Sequence, residues 1–125
     1  MLNTARLMAF AATADADRAR VFYEQILGLK FISQDHFAVA FDANGTPLRI
    51  AVVEKVAPVP YTVLGWQVMD ITITVQALIK AGVQFERFPF MTQDALEIWD
   101  APGGDRVAWF KDPDGNLLSV SQHAR

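Results

Sequence analysis

The sequence predicts an α+β fold made of two β-α-β-β-β modules, and three observations carry that reading. The segment FDANGTPLRIAV at 41–52 aligns with FKDPDGNLLSVS at 110–121, matching Asp42 with Asp112, Gly45 with Gly115, Leu48 with Leu118 and Ile50 with Val120. RARVFYEQILGLKF at 18–31 and TITVQALIKAGVQF at 72–85 each run to a glycine, Gly28 or Gly82, followed by two residues and a phenylalanine. Strand-length apolar runs follow each of these segments: FAVAF and LRIAVV in the first half, LEIW, RVAWF and LLSVS in the second. A self-similarity of this kind marks a duplicated supersecondary unit.

Taken in chain order, LMAFAAT suits a buried first strand. A helix follows, because Ala19, Phe22, Tyr23, Ile26 and Leu27 fall on one face at helical spacing, with Asp15 or Asp17 able to start it and Gly28 to end it. Asp42-Ala43-Asn44-Gly45 then reads as a turn between two strands. Near Pro58 and Pro60 the chain crosses to the second half, giving modules at about 4–56 and 60–123 within one domain of residues 1–125. TVLGWQV repeats the first strand. After it Ile71, Ile73 and Val75 alternate as a strand would, yet Asp70 as a cap, Leu78 and Ile79 one turn on and Gly82 as a stop favour a helix. RFPFMTQDALEIW is the longest irregular stretch, with Phe88, Phe90 and Met91 around a proline; it reads equally as a mobile lip or as an ordinary connection. Asp112-Pro113-Asp114-Gly115 is a hairpin corner and lacks the acidic twelfth residue of a calcium loop.

Composition narrows the function classes. The chain of 125 residues is 52% hydrophobic and 20% charged with a formal net charge of −3, which fits a globular domain and disfavours a nucleic-acid partner. With no cysteine, thiolate metal sites and cysteine nucleophiles are excluded. No run reaches the roughly 18 apolar residues of a membrane span, and Met1 to Phe10 lacks the pattern of a secretory signal. The expectation is a cytoplasmic protein with no membrane partner.

FYEQILGLKF, AGVQFE and above all AWFKDPDGNLLSVSQH resemble the vicinal oxygen chelate superfamily, which includes glyoxalase I, extradiol dioxygenases and the bleomycin-resistance proteins. The resemblance covers essentially the whole chain. It implies paired βαβββ modules whose curved mixed sheets enclose a cleft, a homodimer, and a cleft that hosts unrelated chemistries in different members. It also implies where a divalent ion would be held. Counting from the helices and the Asp-x-x-Gly turns, the ligand positions fall on Met8, Val63, Ser119 and Arg49. A thioether, an isopropyl group, a hydroxyl and a guanidinium do not make the imidazole and carboxylate shell that such ions need. The expectation is therefore no metal and no cofactor.

Period-two alternation from the vacated positions puts Met8 with Phe10, Pro47 with Arg49 and Ala51, Val63 with Gly65 and Gln67, and Ser119 with Ser121. That set is apolar with a few polar groups, as a pocket for a small amphipathic or anionic ligand is. Arg49 either meets such a ligand or reaches solvent or an acid such as Glu54 or Glu86. Trp66 alternates onto the opposite face and is expected in the core under a helix. Trp99 and Trp109 lie where the cleft wall would be, and serve in stacking on a flat ligand, in closing a dimer interface or in core packing. His36 reads as a polar loop residue. His123 is either an exposed residue past the last strand or, if it continues that strand's period beside Ser119 and Ser121, the candidate general base. Two function classes follow: a metal-free small-molecule-binding protein like the bleomycin-resistance branch, or an enzyme. The enzyme would be a lyase, isomerase or dioxygenase with displaced metal ligands, or a metal-free catalyst using His123 or Arg49.

Overall fold

A computed structural model describes residues 1–124 and places them in two compact units. The first comprises Met1–Pro58 with Pro113–Asn116, and the second Val59–Asp112 with the chain from Leu117 onward.

In the first unit, strands β1 (Ala9–Thr13), β2 (Lys30–Gln34), β3 (Ala38–Ala43) and β4 (Thr46–Val52) form a mixed sheet in the order β1-β4-β3-β2. β1 runs parallel to β4 and the other pairs are antiparallel. Strand β1 begins at Ala9, so Leu7 and Met8 precede it. Asp15 starts helix α1 (Ala16–Arg20) by accepting the Arg18 amide at 3.1 Å. The chain then widens into a π-helical segment, Val21–Ile26, closed by the five-residue bond from Leu27 N to Phe22 O at 3.0 Å. The helix expected from the apolar spacing is thus in two parts. Its buried face is Ala19, Phe22 and Tyr23, while Ile26 and Leu27 are half-buried. These side chains cover Val39, Phe41, Leu48 and Ile50, with the Tyr23 and Phe41 rings 5.8 Å apart.

The β3–β4 register is set at its turn. Asn44 and Gly45 take φ of 50° and 92°, and Gly45 N donates to Asp42 Oδ1 at 2.8 Å. Two consecutive left-handed residues give a hairpin turn whose twist matches its strands, which is why Asn-Gly stands there. Val39 then faces Ile50 and Phe41 faces Leu48 on the core side, and Ala40 pairs with Arg49 on the other.

The second unit holds β5 (Leu64–Gln67), α2 (Ile71–Lys80), β6 (Trp99–Asp100), β7 (Arg106–Lys111) and β8 (Leu117–Gln122), in the sheet order β5-β8-β7-β6. The helix reading of 71–80 holds over the strand reading: Asp70 Oδ1 accepts Ile73 N at 3.1 Å, and Ile71 and Val75 are buried. They pack with Ala108, Phe110, Leu118 and Val120. Trp66 is in register with Val120, on the core side, but is half-buried rather than enclosed.

LEIW is not a strand throughout, because only Trp99 and Asp100 pair with β7. Asp94 Oδ1 accepts Leu96 N at 2.8 Å and Ile98 N at 3.0 Å, and Glu97 sits at φ 66°, so the backbone turns where a strand would extend. No helix of the described residues is long and apolar enough to cross a membrane.

The Asp-Pro-Asp-Gly corner anchors the first unit. Asp114, its side chain 3% exposed, accepts Thr13 Oγ1 at 2.6 Å, Ala14 N at 3.0 Å and the Arg18 guanidinium at 2.9 Å. Asn116 Nδ2 donates to Ala12 O at 2.8 Å. Removing this buried acceptor takes a partner from three donors, so Asp114→Ala is expected to cost about 2–4 kcal/mol in urea unfolding. Arg18→Ala, at the exposed end of the same network, should cost less than about 1 kcal/mol.

Candidate functional site

Each sheet has one face against its own core, and the residues expected to line a cleft lie on the opposite faces. In the first unit Phe10 is in register with Arg49, and Arg49 with Ala40, so Phe10, Ala40, Pro47, Arg49 and Ala51 share the open face, with Met8 just ahead of β1. In the second unit Gly65 aligns with Ser119 and Gln67 with Ser121. Across the next pair Trp109 opposes Ser119, and beyond it Val107 opposes Trp99. Gln67, Trp99, Trp109, Ser119 and Ser121 therefore occupy one face, as alternation requires.

On the first face Arg49 is half-buried beside a recess of about 310 Å³ whose wall includes Arg6, Met8, Ile32, Ala40 and Pro47. Arg6 is held by the carbonyl of Gly45. Arg49 has no carboxylate within ion-pair distance among the described residues. Of the acids raised as partners for Arg49, Glu86 faces Lys111 at 3.5 Å, and Glu54 has no ion pair among the described residues. The acid that Arg49 does influence is Asp35, which caps the turn before β3 by accepting Phe37 N at 2.8 Å and Ala38 N at 3.0 Å. Those two amides hold its carboxyl below the ordinary 3.8, and Arg49 and then His36 add smaller electrostatic help against desolvation. His36 itself lies in the exposed loop between β2 and β3.

On the second face the indoles of Trp99 and Trp109 lie with centroids 6.1 Å apart, and Phe88 meets Trp109 edge-on at 5.6 Å. Phe90 extends the row, 5.6 Å from Phe88. Trp109 Nε1 donates to Thr62 Oγ1 at 3.1 Å, which fixes the ring. The stretch that carries Phe88 and Phe90 is tied down. The buried Gln93 carboxamide accepts Phe88 N at 2.7 Å and donates to the carbonyls of Glu86 and Glu97 at 2.9 and 2.8 Å. This supports the reading as a connection over that of a mobile lip. Gly65 leaves the face flat, since a Cβ there would stand 2.8 Å from Ser119 Oγ.

His123 follows β8 directly and turns back to the strand: its Nε2 is 3.0 Å from Ser121 Oγ, and its Nδ1 is 3.6 Å from Asp105 Oδ2. Asp105 was invisible as a partner in the sequence because it comes from the turn between β6 and β7. Phe88 could have been found from the aromatic pair of RFPF, whereas Arg6 and Ile32 have no local signal.

The positions at which a divalent ion would be held do not fit one. Met8 and Val63 precede β1 and β5, Arg49 and Ser119 lie on strands, and no three His, Asp or Glu side chains converge among the described residues.

A family model described as Glyoxalase/Bleomycin resistance protein/Dioxygenase superfamily matches residues 6–120. No curated protein matches the chain. Among solved structures, a glyoxalase/bleomycin resistance protein/dioxygenase from Alicyclobacillus acidocaldarius is 18% identical with a TM-score of 0.73, covering 100% of this chain and 96% of that one. A lactoylglutathione lyase from Agrobacterium tumefaciens is 15% identical with a TM-score of 0.72 over 95% of this chain and 93% of its own. A fosfomycin resistance protein from Listeria monocytogenes is 14% identical with a TM-score of 0.73, over 97% and 94%. At these identities the likeness is one of fold.

Two outcomes follow. Gly65→Ala should cost about 1–3 kcal/mol by crowding Ser119, and Ser119→Ala in the same chain should recover most of it, as a double-mutant cycle in urea would show. Because the folded carboxyl of Asp35 is lowered, its contribution is present above the ordinary carboxylate range and is lost as pH falls through the lowered value. The stability gap between wild type and Asp35→Ala should therefore stay constant down to about pH 4 and close below it.

Proposed function

The chain belongs to the glyoxalase/bleomycin resistance protein/dioxygenase superfamily, and from that premise we propose that it is a metal-free small-molecule-binding member whose ligand carries an anionic group held by Arg49. The observation that carries this reading is the half-buried guanidinium of Arg49, set in a largely apolar recess and not engaged by any carboxylate at ion-pair distance among the described residues. A guanidinium in such surroundings is stabilised by a carboxylate, phosphate or phosphonate presented in its plane. Met8, Ile32 and Pro47 supply apolar area beside it, and the exposed ring of Phe10 stands one strand away. An amphipathic anion matches both features.

The aromatic face of the second unit supports the same class of ligand. Trp99 and Trp109 present indole surface, and Gln67 and Ser121 present hydrogen-bonding groups, while Ser119 on the same face is buried. A reading as a metal-dependent lyase or dioxygenase is less well supported, since no cluster of His, Asp and Glu side chains suited to an ion is found among the described residues. The protein acts in the cytoplasm without a resident cofactor. It pairs with a second copy, for which the exposed Leu7 and Phe37 of the first unit provide apolar surface.

Titration calorimetry with phenylphosphonate and benzoate tests the binding claim. Saturable binding by wild type, weakened about 10- to 100-fold by Arg49→Ala, is the expected result, since a charge-assisted hydrogen bond contributes about 1.5–3 kcal/mol. No binding of either probe, or equal binding by the variant, would contradict it. Sedimentation equilibrium should return twice the chain mass, and Phe37→Glu should lower it.

A further inference from the structure

Beyond ligand binding, we propose that Ser121, His123 and Asp105 form a hydrolytic triad in the second unit that cleaves short-chain carboxylic esters. The three side chains are arranged in the order such chemistry needs. Ser121 Oγ is 3.0 Å from His123 Nε2, a hydrogen bond along which a proton can pass. His123 Nδ1 faces Asp105 Oδ2 at 3.6 Å, on the far side of the ring. Asp105 is itself oriented, because its other oxygen accepts Ala124 N at 2.7 Å and its backbone carbonyl accepts Ala101 N at 2.7 Å. The Asp–His separation is long, as catalytic hydrogen bonds often are before substrate closes the site.

Room and a hydrogen-bond donor lie on the His123 side of the triad. A recess of about 340 Å³, lined by Gln67, Val68, Met69, Gln122, His123 and Ala124, adjoins the histidine. Gln67 is the register partner of Ser121 on the neighbouring parallel strand. Adjacent strands lie about 4.8 Å apart, so its carboxamide N–H is within reach of an oxygen bound next to Ser121.

The bonds balance without any other reactant than water. Ser121 Oγ attacks the ester carbonyl carbon, and its proton passes to His123 Nε2 while Asp105 stabilises the imidazolium. The negative oxygen of the tetrahedral intermediate takes the Gln67 N–H. Collapse expels the alcohol oxygen, which leaves with the proton from His123 and forms acyl-Ser121. Water then attacks the acyl carbon, gives a proton to His123, and the same proton returns to Ser121 Oγ as the carboxylic acid departs. Ser121 and His123 are the catalytic residues, and Asp105 positions the imidazole. His123 and Asp105 are each about half exposed, with side chains 50% and 43% accessible, so the triad handles small esters and is a modest catalyst.

The test uses the full-length protein and two independent readouts. A fluorophosphonate probe, followed by peptide mass mapping, should label Ser121, and His123→Ala should abolish the labelling. Hydrolysis of p-nitrophenyl acetate should fall at least about 100-fold in kcat/KM for Ser121→Ala and for His123→Ala. Asp105→Asn keeps the acceptor for Ala124 N. It should lower kcat about 10-fold or more with KM unchanged, and Asp105→Glu should restore part of the loss. Thermal melts matching wild type establish that each variant folds. Labelling elsewhere than Ser121, or hydrolysis that survives Ser121→Ala, overturns the proposal. Survival in Ser121→Ala would mean that His123 attacks the activated ester by itself.

Discussion

The hydrogen bond from Gly45 N to the Asp42 carboxylate closes the β3–β4 turn at 2.8 Å, and the direction in which Arg49 points follows from it. Side chains alternate along a strand, so a slip of one residue at the turn would carry Leu48 and Ile50 out of the core and Arg49 into it. The left-handed pair Asn44 and Gly45 makes that slip costly, because few other residues accept those angles. The corresponding corner before β8 has its own closure. Asp114 is buried among the Thr13 hydroxyl, the Ala14 amide and the Arg18 guanidinium, and β8 leaves the corner with Leu118 and Val120 inward and Ser119 and Ser121 outward. Every residue assigned a chemical role on the open faces inherits its position from one of these two corners or from a strand in register with it.

Much of this was legible in the sequence because it depends on local chemistry. Asp15 and Asp70 cap helices from the positions their spacing suggests, and the Asp-x-x-Gly corners stand where the internal repeat puts them. Alternation alone assigns Met8, Phe10 and Arg49 to one face and Gln67, Ser119 and Ser121 to another. What was not legible depends on partners distant in the chain or on bonds that compete with regular structure. LEIW has strand composition, yet the Asp94 carboxylate takes two of its amides and bends it. Trp66 obeys the alternation but stays half-buried, since its enclosure depends on what packs over β5 and not on parity. Asp105 as the neighbour of His123 is a product of the β6–β7 turn, and no spacing rule anticipates it.

The corners by which the chain resembles its superfamily are also the points from which the ion-holding positions at Arg49 and Ser119 are counted, and neither a guanidinium nor a hydroxyl is the imidazole or carboxylate such an ion needs. Arg49 brings positive charge to a position where a cation-binding carboxylate would carry negative charge, which is why the ligand proposed for the first face is an anion. Ser119 is small and stands against Gly65, which keeps the second face flat under the indoles. The fold is shared with proteins of several activities, and the residues on its open faces decide what this one does.

The central claim is that Arg49 receives the anionic group of a ligand. A crystal structure of the protein grown with phenylphosphonate tests it most directly. The phosphonate oxygens should lie at roughly 3 Å from the Arg49 guanidinium, with the ring against Met8 and Ile32. A recess without ligand, with Arg49 extended into solvent or folded onto Asp35, would contradict it.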